Sequence, residues 1–296
     1  MSWRRAVAED AQMLVDLVAA AGRESIGYAE AAGLLRSWTV VVDAAGGRAS
    51  AAVAVLPPDP GRHRGYGAWW EREARTQPRA ATLVERLVRI ASSLPLVNTL
   101  QVSVAADDGA RTQALESQGF EAAVPVWTMR HDALSRRAAT LPGPLRVVGW
   151  DEAWTSSFKR AYDVAYADQR MVEAQTPSTW VGLIRDDALV NDVSVLAVDA
   201  DSRVVGFVLA FAHGSGVELG PIGTVPRWRG NGVSSALLGD ALRRCRELRL
   251  DPVTLTVDGE SPTGAHEIYL RHGFAVTERL VAYRRALETE AWTGVR

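Results

Sequence analysis

The chain of 296 residues carries the same order of sequence patterns twice, and this repeat limits the possible folds more than any other feature. In the first half, a β-like segment at residues 99–104 precedes a Gly119-Phe120 pair. In the second half, a β-like segment at residues 253–257 precedes Gly273-Phe274 at nearly the same separation. Self-similarity on this scale is typical of a duplicated domain. The sequence therefore predicts two similar domains in tandem, which also suits the length.

Local hydrophobic periodicity predicts helices and strands of similar order in both halves. The first half reads as a helix at 11–21, a hairpin at 39–56 that turns at Gly46-Gly47, a helix with apolar positions between 83 and 91, and the strand at 99–104. The second half reads as a strand at 145–148, helices at 152–166 and 177–185, a hairpin at 193–211, a strand at 217–225, a helix at 233–248 and the strand at 253–257. Residues 138–144, with two prolines and a glycine, form the predicted linker between an N-terminal domain of residues 1–137 and a C-terminal domain of residues 145–296.

Charge and composition exclude several classes of function. A net charge of -2 without a long basic run argues against nucleic acid as the main partner. The single cysteine, Cys245, allows neither an internal disulfide nor a CxxC metal site, and the histidines lack an HExxH spacing, so we expect no metal. The sequence contains neither an apolar run of spanning length nor a secretory leader. We therefore expect a cytoplasmic protein that does not bind membranes.

A glycine-containing loop joins the strand at 217–225 to the helix at 233–248. Its glycines, Gly230 and Gly232, can adopt conformations that are closed to other residues. The free N–H groups and the positive dipole at the start of the helix attract an anion, and Arg227 and Arg229 add positive charge. These features predict a phosphate site, although a tight turn alone would use the same glycines. A dinucleotide site is disfavoured because Ser235 stands where the third glycine of GxGxxG would be.

This loop resembles the signature of the GNAT superfamily of acyltransferases, Arg/Gln-x-x-Gly-x-Gly/Ala, which Arg227, Gly230 and Gly232 match. The resemblance implies an α/β (α+β) fold in which two tandem GNAT domains each have a mixed, mostly antiparallel central sheet flanked by helices. It also implies that acetyl-CoA is the cofactor, with its pyrophosphate on the loop and its pantetheine arm on the preceding strand. The implied cofactor-binding residues are Thr224, Val225, Arg227, Trp228, Arg229, Gly230, Asn231, Gly232, Val233 and Ser261.

The segment that ends in Gly273-Phe274 extends the resemblance. Tyr269 stands where many relatives have a tyrosine that protonates the departing thiolate, and a tyrosine is still protonated at neutral pH. A tyrosine that only packs a helix onto the sheet is the alternative. Ser261 replaces the asparagine common at the start of this helix, where it could act as an N-cap.

Glu218, on the strand before the loop, is the candidate base that removes a proton from the attacking amine. Its apolar neighbours Val217 and Leu219 could raise its pKa through desolvation. A glutamate that faces solvent explains the pattern equally well, and His213 is the reserve candidate.

The acceptor site is predicted from the segment at 162–180, which covers the acceptor in the family. Tyr166, Asp168 and Glu173 are the expected substrate-binding residues, since carboxylates and an aromatic face suit a cationic amine. A solvated helix end is the alternative explanation.

The first half lacks these features. No glycine lies between Trp70 and the helix near Ala80, and Leu115 occupies the position of Tyr269. A degenerate first domain and one cofactor site per chain are therefore expected. Such a tandem arrangement resembles actinobacterial acetyltransferases of the mycothiol synthase type.

The predicted activity is transfer of an acetyl group from acetyl-CoA to the amine of a small molecule, by direct attack, with strand N–H groups stabilising the oxyanion. An antibiotic or another specialised metabolite is a close alternative acceptor. A catalytically silent acyl-CoA-binding or interaction protein is the alternative from another class. We expect a monomer or a homodimer.

Overall fold

The computed structural model of the protein describes residues 3–22, 26–59, 61–72, 77–131, 141–169, 171–214 and 216–288. Contacts divide the chain into two units. The first unit comprises residues 1–123 and 280–296, and the second comprises residues 124–279.

The described residues of the first half of the chain form six strands and four helices. In chain order they are β1 (Trp3–Arg5), α1 (Ala11–Ala21), α2 (Tyr28–Ser37), β2 (Thr39–Ala45), β3 (Arg48–Leu56), β4 (Arg64–Glu71), α3 (Gln77–Ser93), β5 (Thr99–Ala105), α4 (Gly109–Ser117) and β6 (Glu121–His131).

The second half supplies six further strands and four helices within the same ranges. They are β7 (Arg146–Gly149), α5 (Thr155–Tyr166), α6 (Pro177–Ile184), β8 (Val195–Val198), β9 (Val204–His213), β10 (Gly216–Thr224), α7 (Val233–Glu247), β11 (Val253–Asp258), α8 (Ala265–Arg271) and β12 (Ala275–Ala286).

Each unit contains a mixed sheet, and the two sheets have the same plan. The strand order is β1-β2-β3-β4-β5-β12 in the first unit and β7-β8-β9-β10-β11-β6 in the second. Neighbours run antiparallel except for the fourth and fifth strands of each sheet, β4 with β5 and β10 with β11, which run parallel. The prediction of mixed, mostly antiparallel sheets flanked by helices is confirmed.

The sixth strand of each sheet comes from the other half of the sequence. Residues 280–286 of β12 pair with β5, whereas β6 pairs with β11 along Val253–Asp258. The units therefore do not follow the predicted division into residues 1–137 and 145–296. A strand joins the sheet whose edge it can hydrogen-bond, and this edge need not belong to its neighbours along the chain. Part of the predicted linker, residues 138–140, lies outside the described residues.

Helices α5 and α7 cover the sheet of the second unit with their apolar faces. Phe158 of α5 packs edge-on against Phe207 of β9, with ring centroids 5.0 Å apart, and Leu237 of α7 is fully buried in the same core. Burying side chains of this size contributes about 1.5–3 kcal/mol each. The core of the second unit thus fixes where the N-terminus of α7 lies relative to β10.

Most of the predicted elements form within one or two residues of their expected ends, for example α1 and α7. Helices α2 and α4 and the strands β1, β4, β6 and β12 are additional to the sequence prediction. In the described ranges, no helix combines the length and the apolar character needed to cross a membrane.

Candidate functional site

The parallel strands β10 and β11 separate soon after they meet. Their register covers only Val217 with Val253 and Glu218 with Thr254. Beyond this point β10 continues along β9 and β11 continues along β6. Residues 220–224, here called the free edge of β10, therefore have no strand on their β11 side in the described part of the second unit. Free strand edges carry N–H and C=O groups that can bind an extended ligand.

A cavity of about 690 Å³ lies where the two strands separate. The free edge of β10, the end of β11, the loop before α7, the first turn of α7, helix α8 and the end of α5 all line it. Its volume is in the usual range for a small-molecule site. The lining includes these predicted site residues: Tyr166, Thr224, Trp228, Arg229, Gly230, Gly232, Val233, Ser261 and Tyr269.

The predicted glycine loop forms one end of this cavity. Gly230 and Gly232 have φ angles of +75° and +80°, and a Cβ atom at either position would meet no atom within 4 Å. Both glycines are therefore required by backbone conformation and not by lack of space. Gly232 caps α7, so the N–H groups of the first turn, from Val233 onward, point out of the helix start toward the cavity end. This geometry suits an anion.

Two side-chain hydrogen bonds fix the first turn of α7. Ser234 Oγ lies 2.7 Å from Thr224 Oγ1, which joins the helix start to the end of β10. Ser235 Oγ lies 2.7 Å from Nε2 of the buried His272, which joins it to the end of α8. The helix start is therefore held between the two elements on either side of the cavity.

The two loop arginines make contacts within the protein. Arg229 donates to the Thr224 and Ala165 carbonyl oxygens, at 3.2 and 2.9 Å, and forms a bidentate pair with Asp168 at 2.7 and 3.2 Å. The hydrogen bonds from Arg229 lower the pKa of Asp168. Arg227 is more exposed, and its Nη2 lies 3.1 Å from Asp199. An anion at this loop would thus be bound mainly by backbone N–H groups.

Tyr269 faces the cavity from α8 and is only 7% exposed. Its ring contacts Phe274 edge-on, with centroids 6.0 Å apart. Burial disfavours the charged phenolate and raises the pKa of Tyr269 well above its ordinary value of about 10. Its hydroxyl therefore stays protonated throughout the neutral pH range and can donate a proton or a hydrogen bond.

Tyr166, the last residue of α5, contacts the free edge of β10 directly. Its hydroxyl donates to the Ile222 carbonyl oxygen at 2.9 Å and accepts from the Ile222 N–H at 3.0 Å. Burial, with smaller contributions from Tyr269 and Tyr162, raises the pKa of Tyr166 well above its usual range. The phenols of Tyr166 and Tyr269 therefore both face the cavity in their protonated form.

Ser261 lines the cavity but does not cap the following helix. Helix α8 begins at Ala265, with Gly264 as its N-cap residue. Ser261 Oγ instead contacts Thr263 Oγ1 at 2.9 Å, inside a turn that follows β11. The expectation that Ser261 caps the helix is thus wrong, because the turn delays the start of α8.

Several predicted site residues lie outside the lining. Glu218 lies on β10 where this strand still pairs with β11. Its neighbour Leu219 lines the cavity. Because side chains alternate along a strand, Glu218 is directed to the other face of the sheet. The reserve candidate His213 is exposed at the end of β9. Glu173 is not in the lining, and the charge of Asp168 is paired with Arg229. The loop residues Val225, Arg227 and Asn231 also lie outside it.

Sequence reasoning missed two polar groups, Asp258 in the cavity lining and His272 beside the lining residue Ser235. Asp258 is buried at the carboxyl end of β11 and accepts a hydrogen bond from the Glu260 N–H at 2.9 Å. Its position could have been found, since ligands of open sheets bind at the carboxyl ends of parallel strands. His272, which holds Ser235, precedes Gly273 and carries no comparable signal in the sequence.

In the first unit, charged side chains lie at the place that corresponds to the cavity, at the end of β4. Strands β4 and β5 pair from Arg64 with Thr99 to Gly67 with Val102. Glu71, at the end of β4, has no exposed side-chain surface and lies 3.4 Å from Arg79 and 4.0 Å from Arg111. Arg111 also stacks on Trp69 at 4.6 Å. Charged side chains therefore occupy the end of β4. Residues 73–76, which belong to the predicted glycine-free loop, lie outside the described residues.

Comparison with known proteins agrees with this geometry. Residues 152–274, which contain the loop, the free edge of β10 and Tyr269, match the Acetyltransferase (GNAT) family. No curated protein matches the sequence.

Solved structures resemble almost the whole chain. A GCN5-related N-acetyltransferase from Sphaerobacter thermophilus has a TM-score of 0.80 at 23% identity, over 97% of this chain and 95% of that one. A tandem GNAT protein from the clavulanic acid biosynthesis pathway has a TM-score of 0.73 at 15% identity, over 97% and 98% of the two chains. A GCN5-related N-acetyltransferase from Kribbella flavida has a TM-score of 0.57 at 16% identity, over 94% of both chains. The chain thus has the fold of tandem GNAT proteins, and its residues 152–274 match the GNAT acetyltransferase family.

Proposed function

We propose that the second unit binds acetyl-CoA in the cavity between β10 and β11 and transfers its acetyl group to the amine of a small molecule. The observation that carries this proposal is the separation of two parallel strands directly in front of a glycine-capped helix start. Acetyl-CoA would supply an activated acyl group as a thioester.

The cavity has a distinct place for each part of this cofactor. The N–H groups at the start of α7 suit the pyrophosphate, because the helix dipole and unpaired donors both favour negative charge. The free edge of β10 suits the pantetheine arm, whose two amides can pair with strand N–H and C=O groups as a neighbouring strand would. The lining residues between these places, Thr224 and Trp228, connect the two subsites.

Tyr269 has the properties of the acid that protonates the departing thiolate. It lines the same cavity, and its raised pKa keeps the proton on the hydroxyl before the reaction. The hydroxyl is therefore present as a hydrogen-bond donor to the thiolate as it forms.

The acceptor would enter beside the end of α5. Tyr166, Gln169, Met171 and Val172 line this part of the cavity. The carboxylate within the described lining is Asp258, so we propose that Asp258, and not Glu218, takes the proton from the amine, directly or through water. Because one tandem GNAT neighbour comes from the clavulanic acid biosynthesis pathway, a specialised metabolite is the acceptor class to test first.

Gly230→Glu should weaken CoA binding by about 100-fold or more. A carboxylate about 4 Å from a phosphate costs up to ~4 kcal/mol near a protein surface. Gly119→Glu is the matched control, since Gly119 has a φ of +76°, open space around its Cβ position and no place in the cavity. Titration calorimetry on both variants separates charge from backbone strain, because the strain is common to both. Normal binding by Gly230→Glu, or two sites per chain in the wild type, would contradict the assignment.

Tyr269→Phe should lower kcat by roughly 10²–10⁴-fold and leave the affinity for acetyl-CoA nearly unchanged, as expected for loss of a general acid. The measurement is release of free thiol from acetyl-CoA over a panel of amines. Leu115→Tyr, at the matching buried position of α4, should confer no activity and serves as the internal control. Full turnover by Tyr269→Phe under conditions in which chemistry limits the rate would assign protonation to water.

Asp258→Asn should lower kcat/KM by roughly 10²-fold, because an amide retains the turn hydrogen bond to Glu260 but cannot take a proton. Glu218→Gln should change kcat/KM by no more than a few-fold, since Glu218 lies outside the cavity. Both variants are compared with the wild type on one amine at one pH. A larger loss in Glu218→Gln than in Asp258→Asn would return the role of base to Glu218.

A further inference from the structure

The two hydrogen bonds between Tyr166 and Ile222 occupy part of the free edge of β10. A strand residue directs its N–H and C=O to the same side, and Ile222 directs both to the Tyr166 hydroxyl. The hydroxyl thus accepts from the N–H and donates to the C=O at once. A phenol can replace the amide of a neighbouring strand in this way, because it has both a donor and an acceptor function.

The contact between Tyr166 and Ile222 lies in the part of the cavity that an extended ligand would cross. Ile222 and Tyr166 both line the cavity, and Ile222 lies two residues before Thr224, where β10 meets the loop. An arm that runs along the free edge from α7 toward the separation of the strands would therefore reach Ile222. Its amide would need the same N–H and C=O groups.

We propose that the Tyr166 hydroxyl is an internal substitute for an amide of the pantetheine arm, and that it leaves Ile222 when the arm binds. This inference rests on the proposed function. It assigns Tyr166 to control of cofactor affinity in addition to any contact with the acceptor. The nucleotide end of the cofactor, which would bind at the start of α7, does not compete with Tyr166.

Contacts on both sides of Tyr166 fix its backbone, so the side chain is the part that would move. Arg229 binds the Ala165 carbonyl oxygen and the Asp168 carboxylate, so the end of α5 is fastened to the loop on both sides of Tyr166. The ring is stacked on Tyr162, with centroids 4.6 Å apart. Release of Ile222 is therefore a rotation of one side chain against an aromatic neighbour.

The protonation state of Tyr166 fits this substitution. A phenolate could only accept, and would leave the Ile222 carbonyl oxygen without a donor. The raised pKa keeps the hydroxyl protonated across the neutral range, so both hydrogen bonds persist in the free protein.

The test compares CoA with adenosine 3′,5′-bisphosphate, which lacks the arm, on the full chain by titration calorimetry. Tyr166→Phe should bind CoA about 5- to 10-fold more tightly, because the arm no longer displaces an internal hydrogen-bond partner. Its affinity for the bisphosphate should equal that of the wild type. Tyr162→Phe is the matched control, since the Tyr162 hydroxyl accepts from Gln175 Nε2 at 2.9 Å and does not line the cavity. It should change neither affinity.

Equal or weaker CoA binding by Tyr166→Phe would overturn the inference, and so would a parallel change for the bisphosphate. Failure of the wild type to bind CoA at all is a different result, which would overturn the proposed function. If Tyr166→Phe does not fold, a crystal structure of the wild type with CoA decides. The Tyr166 hydroxyl should then lie beyond hydrogen-bond distance of Ile222, and retention of both contacts beside a bound arm would overturn the inference.

Discussion

The short parallel pairing of β10 with β11 is the constraint on which the rest of the second unit depends. Two residue pairs hold the strands together at one end, and each strand then follows a different neighbour. Backbone groups that a continuous sheet would pair internally are directed into a cavity instead. Helix α7 begins at the open end of this cavity, so donors of the helix start and donors of the strand edge face one space. The site thus arises from backbone geometry, and side chains such as Tyr269 complete it.

The first unit shows what the same strand plan becomes when side chains fill this position. The buried carboxylate of Glu71 stands at the end of β4 with Arg79 and Arg111 around it. A buried carboxylate is unfavourable unless it is paired, so the two arginines stabilise Glu71 at the end of β4. Leu115 is fully buried where the second unit has Tyr269. One sheet plan therefore carries a cavity in the second unit and, among the described residues of the first, a charged side-chain cluster at the end of β4.

Sequence patterns predicted the parts of the protein that depend on local structure. The positive φ angles of Gly230 and Gly232 are a local backbone property, which the glycine spacing indicates directly. The exchange of β6 and β12 between the sheets was missed, because the choice of a sheet edge depends on residues more than a hundred positions away. Distant contacts also explain why Asp168, which was expected to bind an amine, is paired with Arg229 instead. The face of β10 on which Glu218 lies likewise depends on strand register. Residue type predicts possible chemistry, whereas register and packing decide which groups meet.

Backbone amide hydrogen exchange with and without CoA tests most directly whether the separated strands hold the cofactor. Slower exchange is expected on adding CoA at residues 220–224 of β10, apart from Pro221, which has no N–H, and at residues 230–235 of the loop and α7, with no change at residues 64–71 of β4. The prediction rests on new hydrogen bonds to the arm and the pyrophosphate, which retard local opening. Unchanged exchange at residues 220–224 while CoA is bound, or protection that appears at residues 64–71 instead, would contradict it.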